Sequence, residues 1–147
     1  MTPDEPPLPQ FSIFNPPPRK ATADKSDWPT YRGDANRSGY QDSTAPSELN
    51  LAWTTRFTSP ITAPTVSDRL VFVAETETHA VHALSTENGR SLWTFTADGR
   101  IDSPPTLWEG RCLFGTRNGF VYCLRASDGA LIWRFRAAPE DRRLMAY

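Results

Sequence analysis

The sequence predicts an all-β chain: about two four-stranded antiparallel blades of an incomplete β-propeller, one orphan outer strand, and a disordered proline-rich tail in front. Three observations predict it. Residues 61–95 and 101–135, laid side by side without gaps, agree at eight of thirty-five positions. Short β-forming runs alternate with turn residues every 8–12 positions, the rhythm of an all-β chain. Trp53, Trp93 and Trp133 recur forty residues apart, within the period expected of propeller blades.

Residues 1–27 hold seven prolines, including Pro16-Pro17-Pro18. Proline fixes φ and removes a backbone donor, so neither helix nor central strand is expected there. The segment reads as a semi-rigid linker or tail. Residues 28–48 form a lead-in with Trp28, Tyr31 and Tyr40 among turn formers; its Arg32-Gly33-Asp34 reads as a tight turn. Residues 49–138 carry the blades. "LAWTTRF" (51–57) is the orphan outer strand. The first blade then uses "ITAPTV" (61–66), "RLVFVAE" (69–75), "AVHAL" (80–84) and "RSLWTFTA" (90–97). The second uses "IDSPPTL", "RCLFGT", "FVYCLRA" and "ALIWRFRA". Runs such as Phe120-Val121-Tyr122-Cys123-Leu124 do not alternate with polar residues, so both faces of the sheet should be covered. Aligning Arg69 with Arg111 and Phe72 with Phe114 places two extra residues in the loop Glu75 to Thr78 of the first repeat. Residues 139–147 read as the start of a connection to a further blade.

The Asn118-Gly119 pair reads as a two-residue hairpin loop. That register sets Cys112 opposite Arg125 and Cys123 opposite Phe114. The two sulfurs are then diagonal neighbours, an awkward geometry for a disulfide, and two buried free thiols are expected.

The net charge is -1, and no basic stripe with interleaved aromatics occurs, so nucleic acid is not an expected partner. No apolar run reaches the length of a membrane-spanning helix. The first residues lack the basic and apolar regions of a signal peptide.

Two segments carry a resemblance. Ala83-x-Ser85-x-x-Asn88-Gly89-x-x-x-Trp93 and Cys123-x-Arg125-x-x-Asp128-Gly129-x-x-x-Trp133 resemble the tryptophan docking motif of the pyrroloquinoline-quinone-like (PQQ-like) propeller repeat family. Ser85 and Arg125 stand where that family usually has aspartate. "WPTYRGDANRSGY" resembles the lead-in before the first blade of many such propellers. The resemblance covers about residues 27–138. It implies that Gly89 and Gly129 shape a turn, and that Trp53, Trp93 and Trp133 each reach over a neighbouring blade and stack on its turn. The physics agrees: glycine takes positive φ without strain, and an indole buries about 150–250 Å² and offers an N–H to a carbonyl.

The family includes quinoprotein dehydrogenases, which hold PQQ and calcium in the ring centre, and non-enzymatic BamB-like scaffolds of outer-membrane assembly. The resemblance thus implies an extracytoplasmic setting, with PQQ and calcium possible only in a complete ring. Several of the dehydrogenases carry vicinal cysteines, which this chain lacks. No zinc-protease, phosphate-loop or nucleophile-elbow motif appears. His79 and His82, three apart on a strand, should point to opposite faces and cannot jointly chelate one metal from it; His82 answers Tyr122 as a packing position. Glu75, Glu77, Asp98 and Asp102, with Arg100 and Arg117, should fall in loops at one end of the blades, where they either line a polar binding face or are ordinary solvated charge. No catalytic, cofactor or metal residue is assigned. The expected role is a non-catalytic interaction scaffold, with the remaining blades of a longer protein or protein partners as its complement; the alternative is part of a quinoprotein alcohol or sugar dehydrogenase.

Overall fold

The computed structural model describes residues 27–138; the proline-rich tail and residues 139–147 lie outside them. The described chain is all-β. Strands β1 (Thr65–Ser67), β2 (Leu70–Glu75), β3 (Ala80–Ser85) and β4 (Ser91–Thr96) make one antiparallel sheet in sequence order. Strands β5 (Thr106–Trp108), β6 (Arg111–Gly115), β7 (Phe120–Arg125) and β8 (Leu131–Arg136) make the second in the same order. These are the two predicted blades.

Turn chemistry explains the hairpins. Asp68 and Arg69 both take positive φ (52° and 64°) between the paired residues Ser67 and Leu70. Glu109 and Gly110 do the same (45° and 71°) between Trp108 and Arg111. Two left-handed residues in a two-residue loop match the twist of the strands they join. The outer hairpins turn on Gly89 and Gly129, each donating its N–H four residues back, to Ser85 O and Arg125 O. A bulge follows in both blades, between Ala83 and Leu84 and between Cys123 and Leu124.

The core lies between the sheets. Phe72, Ala74, Val81 and Ala83 of the first blade meet Leu107, Cys112, Phe114, Tyr122 and Leu124 of the second, with Ile101 between them. Phe95 of β4 sets its ring edge against Tyr122 (5.8 Å) and Phe114 (6.2 Å), and those two rings stack at 5.2 Å.

The structure corrects several sequence expectations. Residues 51–57 belong to no ladder among the described residues, although Trp53, Thr55 and Phe57 are half-buried and alternate with exposed neighbours. The alternation is that of a strand; the inner strands it would join are not in the described structure. The innermost strands are shorter than expected, because Pro60, Pro64, Pro104 and Pro105 have no N–H to give a ladder. Ile61 keeps only a single bridge, to Glu75. His79 is in a turn at φ 57°, not on β3. The two blades also differ by one loop residue, not two: Glu75 pairs with Ala80, Gly115 with Val121, so the second strands correspond at an offset of forty-one. Phe72, opposite Ala83, therefore answers Leu113, opposite Cys123, and not Phe114.

The β6–β7 hairpin differs in the same way. Thr116 N donates to Phe120 O and Gly119 N to Thr116 O, which makes a three-residue loop closed by Gly119 at φ 85°. Asn118 is not left-handed, so the two-residue turn cannot form. Cys112 then faces Leu124, and Cys123 faces Leu113. A one-residue slip flips side chains across the sheet, so the two thiols sit on opposite faces. Both are free and buried, as expected.

Candidate interaction surface

The three tryptophans, read from the residues upward, have different surroundings. Trp93, on β4, donates its indole N–H to Ala126 O of the second blade at 2.9 Å. Its ring lies on Gly129: a Cβ there would come within 2.6 Å of Trp93 Cε3. Trp53 repeats the arrangement one blade earlier. It donates to Thr86 O at 2.9 Å, and a Cβ on Gly89 would fall 2.3 Å from its ring. Thr55 adds a hydrogen bond from its hydroxyl to Gly89 O at 2.7 Å. Each donor is thirty-three residues before its acceptor. The segment 51–57 thus does for the first blade what β4 does for the second, and Phe57 packs edge-on against His82 (5.2 Å) as Phe95 packs against Tyr122.

Trp133, on β8, has no such turn against it among the described residues. It is 42% exposed, and Phe135 beside it 54%. Register puts Trp133 opposite Cys123, Phe135 opposite Val121, and Cys123 opposite Leu113. These residues, with the exposed Trp108, share the face of the second blade turned away from the first. It is an apolar sheet face with an indole at the position where Trp93 meets a glycine turn. Single exposed apolar residues are ordinary; a contiguous patch marks an interaction site.

The charged end of the blades differs from expectation at one residue. Glu75 is the last residue of β2 and is buried, not a solvated loop charge. Its Oε1 accepts the Thr58 hydroxyl, Thr58 N and Ser59 N, each at 2.7 Å, and its Oε2 lies 3.3 Å from His82 Nε2. The Thr58 hydroxyl, reinforced by the Ser59 amide, outweighs burial and lowers the carboxyl to about 2. Glu75 therefore fixes the end of the segment that carries Trp53. The other charges pair with one another. Arg100 reaches Glu77 (2.5 Å) and Asp102 (2.6 Å), Arg117 is 3.7 Å from Asp102, and Arg134 is 3.0 Å from Asp98, which also accepts the Tyr122 hydroxyl. Among the described residues no group of three or more His, Cys, Asp or Glu is placed to hold a metal ion. Burial pushes the Cys112 thiol up to about 12 and raises Cys123 as well, which is the state of packing thiols rather than nucleophiles. No described helix is long and apolar enough to cross a membrane.

Comparison with known proteins gives this geometry a context. A family model described as outer membrane protein assembly factor BamB matches residues 77–144. The BamB of Escherichia coli (strain K12) is 28% identical over 87 residues, which is 52% of this chain. The chain spans only 22% of the length of that relative. Among solved structures, BamB from Moraxella catarrhalis superposes with a TM-score of 0.53 at 18% identity, over 57% of this chain and 27% of that one. The quinohaemoprotein alcohol dehydrogenase of Comamonas testosteroni superposes with a TM-score of 0.65 at 23% identity, over 80% of this chain and 20% of that one. At these identities the structural likeness speaks for the fold.

Proposed function

We propose that this chain, a member of the PQQ-like propeller repeat family, supplies two neighbouring blades of a larger propeller that serves as a non-catalytic docking scaffold for protein assembly. One observation carries the reading: Trp133 and Phe135 stand uncovered where Trp93 and Phe95, at the same repeat positions, are covered by the next blade. In this reading Trp53, Trp93 and Trp133 are docking residues, Gly89 and Gly129 are the surfaces they dock on, and a further blade or a partner protein completes the face at Trp133. The strand-like segment 51–57 is the complement at the other end, an outer strand for inner strands supplied from outside residues 27–138.

The scaffold reading is favoured over a dehydrogenase one by where the likeness lies. The similarity detectable in sequence is to outer membrane assembly factor BamB, whereas the likeness to the dehydrogenase is in fold. The charged groups at the blade end are taken up in pairs with one another. Calorimetric titration of the chain with PQQ and calcium tests this. No saturable heat is expected; a stoichiometric micromolar complex would overturn the scaffold reading in favour of a quinoprotein one.

A further inference from the structure

The two blades part at the end where the β1–β2 and β5–β6 turns lie, and the gap between them is a groove of about 340 Å³. Its floor is apolar. Phe72 and Leu107 are buried there, and Leu70 and Ala126 pack against the core beside them. Its walls are held by backbone hydrogen bonds. Leu107 N donates to Pro29 O at 2.7 Å, and Ala126 N to Gly110 O at 2.8 Å. Ala126 O takes the Trp93 indole N–H, and the Phe72 ring meets Trp93 edge-on at 5.8 Å, so the groove adjoins the contact that joins the blades.

The mouth carries mainly one sign of charge. Asp68 and Glu109 each open a two-residue turn at positive φ, one in each blade, so the two exposed carboxylates enter from opposite walls. The Asp68 carboxylate has no hydrogen bond or ion pair among the described residues. Glu109 has Arg111 at 3.9 Å, a loose pair. A third carboxylate, Asp27, stands behind Ser67 and accepts its hydroxyl at 3.2 Å. The neighbouring cations are engaged elsewhere: Arg69 holds Glu87, and Arg125 holds Asp128 at 2.8 Å. Three carboxylates therefore stand at this groove against one guanidinium.

We infer that this groove takes a lysine or arginine side chain presented by a partner protein. Shape and charge select that occupant together. The long stem of a basic side chain covers apolar surface while its cationic head stays at the wet edge. Here the stem lies on Leu70, Phe72, Leu107 and Ala126, and the head stands between Asp68 and Glu109. An apolar side chain would fill the floor and leave both carboxylates unanswered. An acidic segment would be repelled by them. A bare metal ion would lack ligands, since no group of three or more His, Cys, Asp or Glu is placed to hold one among the described residues. The groove lies between the blades and is a second docking point, apart from the open face at Trp133.

The test is an NMR titration of the full, nitrogen-labelled chain with three blocked amino acids: N-acetyl-lysine methylamide, N-acetyl-arginine methylamide and the uncharged N-acetyl-norleucine methylamide. The two basic probes should shift the amides of Asp68, Leu107, Gly110 and Ala126 saturably, with a dissociation constant on the order of 1 mM, in keeping with ligands of that size. The norleucine probe should bind about three- to tenfold more weakly, the effect of two exposed charge contacts. Asp68→Asn/Glu109→Gln should bring the lysine probe down to the norleucine value and leave the rest of the amide spectrum unchanged, since asparagine is at home at positive φ. No saturable shift at these amides, shifts that map elsewhere, norleucine binding as tight as lysine, or lysine binding that survives the double substitution would each overturn the proposal. Because the groove lies between the blades, the result is independent of what covers Trp133.

Discussion

β4 and β8 occupy the same place in two successive blades. Both carry a tryptophan and, two residues on, a phenylalanine, after a glycine turn of the same shape. Yet Trp93 and Phe95 are half-buried against Ala126, Gly129, Phe114 and Tyr122, whereas Trp133 and Phe135 stand open. Even the residues that alternate with them diverge. In β8 Arg134 and Arg136 lie over Phe120, at 5.1 and 4.4 Å from the ring centre, where β4 has Thr94 and Thr96. The difference teaches that a repeat's fate is set by its neighbour, not by its own residues. The same indole is cement where a turn meets it and adhesive surface where none does.

The sharpest way to break this comparison is to delete both indoles. Trp93→Ala should cost about 3–5 kcal/mol in a denaturant melt, as large-to-small changes in packed sites do. Trp133→Ala should cost under about 1 kcal/mol in the unassembled chain, as exposed substitutions do. Equal costs would mean that the two environments do not differ as described.

The turns give a finer contrast. Gly129→Ala places a methyl 2.6 Å from the Trp93 ring at φ 74°, while Gly110→Ala, at φ 71°, meets nothing within 4 Å. Both pay the left-handed penalty, about 1–2 kcal/mol. Gly129→Ala should add about 1–3 kcal/mol for overpacking. Urea midpoints that coincide for the two variants would argue against a tight indole contact.

A smaller effect separates the segment 51–59 from β4. Glu75 fastens that segment, and β4 has no such carboxylate at the matching place, since Thr116, bonded across the hairpin to Phe120, stands where Glu75 has Ala80 opposite it. Its folded carboxyl sits at about 2, below the ordinary 4.5. A group lowered on folding stabilises fully above its unfolded value and loses that contribution as pH falls through the folded one. Stability should therefore decline between about pH 4.5 and pH 2. Glu75→Gln should be less stable at pH 7 and show a shallower slope in that window, read from thermal melts across the range. An unchanged slope would remove Glu75 from this role.

The thiols report the two faces most gently. Cys112 lies in the covered interface, and Cys123 under Trp133 on the open face. Both should resist native-state alkylation at pH 8, Cys123 less than Cys112, and Trp133→Ala should accelerate Cys123 alone. Mass spectrometry of partly labelled chains reads the order.

Much of this was legible in the sequence, for reasons particular residues make plain. The Gly-x-x-x-Trp spacing announced the outer hairpins because glycine and tryptophan each have one evident use there, and the repeat displays it twice. The strand count followed from turn residues flanking apolar runs. The hairpin at Asn118-Gly119 was misread because the pair suits a two-residue turn, while the structure spends Asn118 on the Thr116 hydroxyl and on Asp98 O and lets Gly119 alone go left-handed. Glu75 was misread for a different reason. Its partners, Thr58 and Ser59, are seventeen and sixteen residues away in a segment without a ladder, and no local pattern marks a carboxylate for burial. The strand character of 51–57 was visible in its β-forming residues, but a ladder needs a partner.

The central claim is that the open face of the second blade is made to be covered. It is tested most directly by the solution mass of the chain, measured by light scattering across a concentration series beside Trp133→Asp. The account predicts that the unsubstituted chain associates as concentration rises, and that Trp133→Asp shifts it towards the monomer with its fold intact by circular dichroism. A cooperatively melting monomer at every concentration, unchanged by Trp133→Asp, would contradict it.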